Sequence, residues 1–187
     1  MMEKVTNTII ETFEAISAIP RCSKNEAKLA AWLMDWAREH GYPFRSDEVG
    51  NLVIQVPASP GMDGKPTVIL QGHMDMVCEK TPESAHDFEC DPVRVLRDGD
   101  WIHADGTTLG ADNGIALAMA LVLVADEAVR HPPLELLFTV DEESGLIGAH
   151  KLDASLITGR ILINIDSEDE GVFTIGCAGG EETLVRL

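Results

Sequence analysis

A chain of 187 residues with 45% hydrophobic and 25% charged side chains has the composition of a folded globular domain, not of a disordered or fibrous protein. Its 32 acidic residues against 14 basic ones leave a formal charge of −18, which argues against nucleic acid or an anionic membrane surface as partner and suits cations. MMEKVTNTIIETFEA offers no signal-peptide core, and the longest uncharged apolar run, residues 115–125, is short of the roughly 18 residues that suggest a membrane span, so a cytoplasmic location is expected.

Val5, Ile9, Phe13, Ile16 and Ile19 recur at helical spacing, and Pro20 stops the pattern. Ser23 and Glu26 are spaced as a capping box for a second helix, with Leu29, Ala30, Leu33, Trp36 and Ala37 on its apolar face and Gly41 at its end. Both helices read as scaffold. Asn51 to Val56 is a short β-branched run, followed by the turn-forming PASPGMDGKP. The uncharged stretch TVILQ at 67–71 suits a central strand covered on both faces, and it runs directly into Gly72-His73-Met74-Asp75. Strand ends in α/β sheets face the crevice where ligands bind, so His73 and Asp75 are delivered to a site. Alternation puts both on one side of an extended backbone, where Asp75 can orient the imidazole. An exposed loop would hold the same pair without chemistry.

Residues 92–104 alternate polar and apolar across Asp98-Gly99, a hairpin signal. The hairpin leads into GTTLGADNGIALAMALVLVA at 106–125, which sets Asp112 at the mouth of the most apolar segment. An unpartnered carboxylate buried there would cost several kcal/mol, so Asp112 is expected either to cap the helix over 115–125 or to be neutralised by a partner or a metal. Leu134 to Val140 reads as a strand ending in Asp141-Glu142-Glu143, three adjacent acids that at an inner strand end call for a cation. A short helix is expected at 147–152. Ile161 to Ile165 reads as a further buried strand, ending in Asp166-Ser167-Glu168-Asp169-Glu170, and Val172 to Ile175 as a last one. Cys22, Cys78, Cys90 and Cys177 lie far apart without CxxC spacing, and free thiols are expected.

His73, Asp75, Asp112, Glu142, Glu143 and Asp166 thus come from three strand ends and one helix start at the same rim. Mixed imidazole and carboxylate donors fit zinc, with manganese or cobalt as substitutes, and five carboxylates are more than a single zinc takes. Two ions bridged by one carboxylate would absorb them and could activate a water while polarising a carbonyl. A solvated acidic patch is the alternative without a metal.

QGHMDMV at 71–77, HDFECDP at 86–92, GTTLGADNGIALA at 106–118, DEESG at 141–145 and NIDSEDEG through CAGG at 164–180 carry a resemblance that spans essentially the whole chain. The chain resembles the co-catalytic zinc peptidases, and Asp112-Asn113-Gly114 followed by CAGG is similar to their bacterial cytosolic Xaa-His dipeptidase branch. Related tripeptidases continue the equivalent Asp with a second acid and a lysine. The resemblance implies a three-layer α/β/α sandwich with a mixed, largely parallel sheet, and two zinc ions in a complete site. It implies His73, Asp112 and Asp166 as ligands of one zinc, Asp112 as a bridge to a second that also takes Glu143, and Asp75 as the residue orienting His73. Glu142 is implied as the general base, passing a proton from the attacking water to the leaving amine, and a cis peptide is expected at Asp112 to Asn113.

The implied substrate is a small peptide, an Xaa-His dipeptide in the first place. A further family His, which follows an inserted lid domain, has no match in these 187 residues: His40, His86, His103, His131 and His150 lie in no ligand motif. Residues 1–187 are therefore expected to be the N-terminal portion of a catalytic domain, without lid or remainder, from a parent that dimerises through the lid. Alternative readings are an aminoacylase, deacetylase or tripeptidase with the same metals, or a catalytically silent metal-binding fragment.

Overall fold

The computed structural model describes residues 2–167 and 171–176. In chain order its elements are α1 (Met2–Ser17), α2 (Ala27–Glu39), β1 (Phe44–Ser46), β2 (Leu52–Val56), β3 (Val68–His73), β4 (Val95–Asp98), β5 (Trp101–Ala104), α3 (Ala111–Ala125), β6 (Leu134–Thr139), α4 (Ile147–His150) and β7 (Ile161–Asn164). Among the described residues five strands form one mixed sheet in the order β1-β2-β6-β3-β7. β1, β2 and β6 pair antiparallel, whereas β3 runs parallel to both of its neighbours, β6 and β7. β4 and β5 make the separate hairpin expected across Asp98-Gly99.

The two-residue period of the strands divides the core into two sides. Leu52, Ile54, Leu70, Leu136 and Phe138 pack with Phe13 and Ile16 of α1, Leu29 and Leu33 of α2, and Leu117 and Leu121 of α3. Val53, Ile69 and Leu137 point the other way, onto Leu152, Leu156 and Ile157 in the chain after α4. The sheet is therefore sandwiched between three helices and a thinner second layer. Each fully buried Leu, Ile or Phe contributes roughly 1.5–3 kcal/mol. Glu135 breaks the apolar pattern of β6 but is satisfied: its carboxylate accepts from the Thr158 hydroxyl at 2.7 Å and from the main-chain N–H groups of Thr158 and Gly159. With β3 inside the sheet, its carboxyl end opens between the ends of β6 and β7, and that position creates the site.

Four local expectations are corrected. The capping box does not form: Glu26 itself is the residue before α2, with no side-chain cap. Ser23 and Glu26 turn instead toward the rim, where the Ser23 hydroxyl donates to Asp75 and Glu26 accepts from the N–H groups of Lys24 and Asp141. β7 is not buried; Ile161, Leu162 and Ile163 are 48%, 51% and 44% exposed, because among the described residues β7 pairs through β3 alone. Residues 172–176 form no strand. Cys22 and Cys78 are joined in a disulfide, since a parallel bridge between Cys22 and Met76 aligns segments far apart in the sequence. Cys90 is a free, exposed thiol, and Cys177 lies outside the described residues.

Candidate metal centre

β3 delivers His73 to the rim with only 1% of its surface exposed, and Asp75 follows with none. His73 Nδ1 lies 3.2 Å from Asp75 Oδ1, and Nε2 lies 2.9 Å from Asp112 Oδ1 and 3.8 Å from Glu142 Oε2. Asp75 does more than orient the imidazole. It also accepts from the Ser23 hydroxyl at 2.8 Å and from the main-chain N–H groups of Glu142 and Glu143 at 3.0 and 3.2 Å. One buried carboxylate thereby fixes both the ring and the loop that carries the two glutamates.

Asp112 arrives from α3, whose first turn is interrupted: Asp112 (φ −77, ψ 110) and Asn113 (φ −114, ψ 25) are non-helical, and the peptide between them is cis, as expected. This break turns the Asp112 carboxylate away from the helix and toward His73, so it does not act as a plain cap. It is not buried either; 67% of its side chain is exposed. Asn113, which sequence reasoning passed over, is 3% exposed and works as a three-way clamp. Its Oδ1 accepts from the His73 N–H, and its Nδ2 donates to the Ile165 carbonyl at 2.8 Å and to Asp166 Oδ1 at 3.1 Å. The clamp leaves no room at Gly72, where a Cβ would come within 2.4 Å of Asn113 Oδ1. The signal available in the sequence is the position of Asn113 directly after Asp112, but its partners depend on the fold.

His73, Asp112 and Glu143 each bring one ligand atom within 4.8 Å of the others. An imidazole whose Nδ1 is engaged by a carboxylate and whose Nε2 faces two more acids is a donor set that fits zinc. Glu142 stands beside this group, and Asp166 is held against it by Asn113. A second buried acidic group, Glu26, Asp75 and Asp141, shares Asp75 with the first, but Asp75 and Glu26 are already occupied by the N–H and O–H donors described above. His40 stacks on Trp36 and bonds to its carbonyl, away from the rim. His86, His103, His131 and His150 join neither acidic group among the described residues. A cavity of about 730 Å³ between α1 and the second half of α3 contains none of these residues. A smaller one of about 160 Å³, lined by Leu137, Leu146, Leu152 and Leu162, reaches Glu142 and Asp166.

Burial alone would lower the His73 pKa, but its bonds to Asp75 and Asp112 outweigh burial and raise it to about 9. Asp75 is pushed up by burial and pulled down more strongly by His73, the Glu142 and Glu143 N–H groups and Ser23, to about 2. Glu142, Glu143 and Asp166 are all raised, first by burial and then by neighbouring carboxylates. In the metal-free protein the raised His73 value stabilises the fold below the unfolded pKa near 6.5, and that contribution is lost as pH rises through about 9. The depressed Asp75 value stabilises it above about 3.8 and is lost as pH falls through about 2. A ligating His73 must be neutral, so zinc binding at pH 7 is expected to release about one proton from this ring. Calorimetry in buffers of different ionisation enthalpy measures that release, which should shrink toward zero above pH 9 and vanish in His73→Ala.

Taken together, the strand ends, the buried imidazole and the converging acids define an α/β protein with a candidate metal-binding group at the carboxyl end of its sheet. The chain belongs to peptidase family M20/M25/M40, whose model matches residues 69–180. It is 48% identical over 177 residues to the cytosol non-specific dipeptidase of Escherichia coli, covering 95% of this chain and 36% of that one. The crystal structure of aminoacylhistidine dipeptidase from Vibrio alginolyticus matches with a TM-score of 0.85 and 46% identity, over 88% of this chain and 34% of the other. A Staphylococcus aureus tripeptidase matches with a TM-score of 0.73 and 27% identity, over 87% and 44%. The chain thus spans about a third of the length of the two dipeptidases.

Proposed function

We propose that residues 1–187 are the N-terminal portion of the catalytic domain of a cytoplasmic metallo-dipeptidase, with Xaa-His dipeptides among its substrates. The observation that carries this reading is the placement of the buried His73 between Asp75 and Asp112, with Glu142 at 3.8 Å. Both dipeptidases matched above are named for this class of reaction, and the exposed apolar side chains of β7 suit a sheet edge that further chain covers. His73, Asp112 and Asp166 would hold one zinc, and Asp112 and Glu143 a second, with manganese or cobalt able to substitute. Bound there, the ions would polarise the peptide carbonyl and acidify the attacking water.

The residues of the chain divide the remaining work. Asp75 keeps the His73 ring turned so that Nε2 faces the centre. Glu142 takes the proton from the attacking water and hands it to the leaving amine. Its raised pKa makes it a stronger base than an ordinary carboxylate once it is ionised. Asn113 holds Asp166 in register with His73. A homodimer through a lid domain outside this chain belongs to the same reading. The two-ligand second position favours one further reading, in which the 187-residue chain by itself binds metal but is catalytically silent.

Substrate choice tests the proposal. The full-length protein is expected to hydrolyse alanyl-histidine faster than acetylated amino acids or tripeptides, and to lose activity on chelation. Preference for an acetylated amino acid would move it to the aminoacylases or deacetylases, and preference for a tripeptide to the tripeptidases.

A further inference from the structure

Among the described residues Arg21 is the bulkiest fully buried side chain, 1% exposed, and takes no part in the function argued so far. It lies in the link between α1 and α2, next to the cystine at Cys22. Its Nη1 donates to the main-chain carbonyls of Met74 and Asp75, both at 2.9 Å, and its Nη2 to the carbonyl of Gly110. One side of the fork therefore holds the turn that carries His73 and Asp75, and the other holds the loop that leads into Asp112. The space is cut to fit by two glycines. A Cβ at Gly110 would lie 2.5 Å from Nη2, and one at Gly114 would lie 2.7 Å from it.

These partners are carbonyl oxygens, not carboxylates. Burying a guanidinium in this way costs several kcal/mol unless its charge is used at longer range. Burial lowers its pKa to about 10, against the pull of Asp75, Asp112 and Glu143, so it stays charged at neutral pH. Were the proposed centre to hold two divalent ions, its five carboxylates would leave one negative charge in excess, which the buried charge of Arg21, felt by Asp75, Asp112 and Glu143, would offset. A lysine could supply that charge but not the planar fork that reaches two segments at once.

We infer that Arg21 is a positioning residue of the metal centre, locking the His73–Asp75 turn to the Gly110–Asp112 loop and setting how His73 and Asp112 face each other. The inference rests on the metal-centre reading above, and its test separates the two. Zinc affinity by chelator competition and hydrogen exchange of the metal-free protein are measured for Arg21→Met, Arg21→Lys and Arg21→Ala with added methylguanidinium. Arg21→Met is expected to lose about 10- to 100-fold in zinc affinity, the range for residues that support metal ligands. Exchange should rise at residues 72–76 and 110–114 and stay unchanged in β2 and β6. Arg21→Lys should recover only part of the affinity, and methylguanidinium should restore binding to Arg21→Ala, an effect that a merely space-filling role does not produce.

Arg21→Met with zinc affinity within twofold of the unsubstituted protein overturns the inference, as does unaltered exchange in the two segments. Where Arg21→Met fails to fold, Arg21→Lys at full affinity, or Arg21→Ala unmoved by methylguanidinium, overturns it equally. An unsubstituted protein that binds no zinc, manganese or cobalt, with exchange still raised in both segments of Arg21→Met, leaves the positioning role standing and removes the metal-centre reading.

Discussion

Glu142→Gln in the full-length protein is expected to abolish measurable dipeptide turnover, a fall of about 10²–10⁴-fold or more in kcat, while its metal content stays near normal. Gln keeps the length and shape of the side chain and can still donate and accept hydrogen bonds, but it cannot take up a proton at neutral pH. Glu142 stands 3.8 Å from His73 Nε2 and outside the group of three that converges most closely, so its loss should spare the ligands. Its N–H is held by Asp75, and Gln retains that bond. KM should move little, because the change acts on proton transfer and not on binding. An active Glu142→Gln variant would remove the general-base role.

Asp112→Ala should have the second large effect, and by a different route. If Asp112 bridges two ions, its removal takes a ligand from both, and affinity should fall by more than the roughly 10- to 100-fold that loss of a supporting residue costs. The fold should survive. The Asp112 side chain is 67% exposed, so truncation opens no buried cavity, and the bonds that Asn113 makes to His73, Ile165 and Asp166 remain. Metal analysis after dialysis, together with the thermal midpoint, checks both halves: metal content well below that of the unsubstituted protein, with a midpoint within a few degrees of it. Retention of the full metal content would exclude a bridging Asp112.

The site was legible where chemistry coincides with a change of local structure. His73 and Asp75 follow an uncharged strand, Glu142 and Glu143 follow another, and a polar group at the end of such a run stands out in one dimension. Residues that act only through the fold did not stand out. Asn113 looks like an ordinary helix-start amide, and Arg21 like any basic residue in a loop, until β3 and α3 are brought together around them. Ser23 and Glu26 were misread for the same reason: their spacing satisfies a local capping rule, but Asp75 and the Asp141 N–H compete for them across the fold. The Cys22–Cys78 disulfide and the exposure of β7 are likewise consequences of which segments lie side by side. The apolar letters of Ile161 to Ile165 mark a strand correctly but do not reveal its place at the edge among the described residues.

Anomalous X-ray scattering at the zinc edge, from crystals of the full-length protein grown with zinc, addresses the convergence on shared ions most directly. Two peaks are expected, one among His73, Asp112 and Asp166 and one against Glu143, with Asp112 between them. Well-ordered crystals with no zinc at these residues, or with zinc only at surface acids elsewhere, would contradict the metal centre and the hydrolysis built on it.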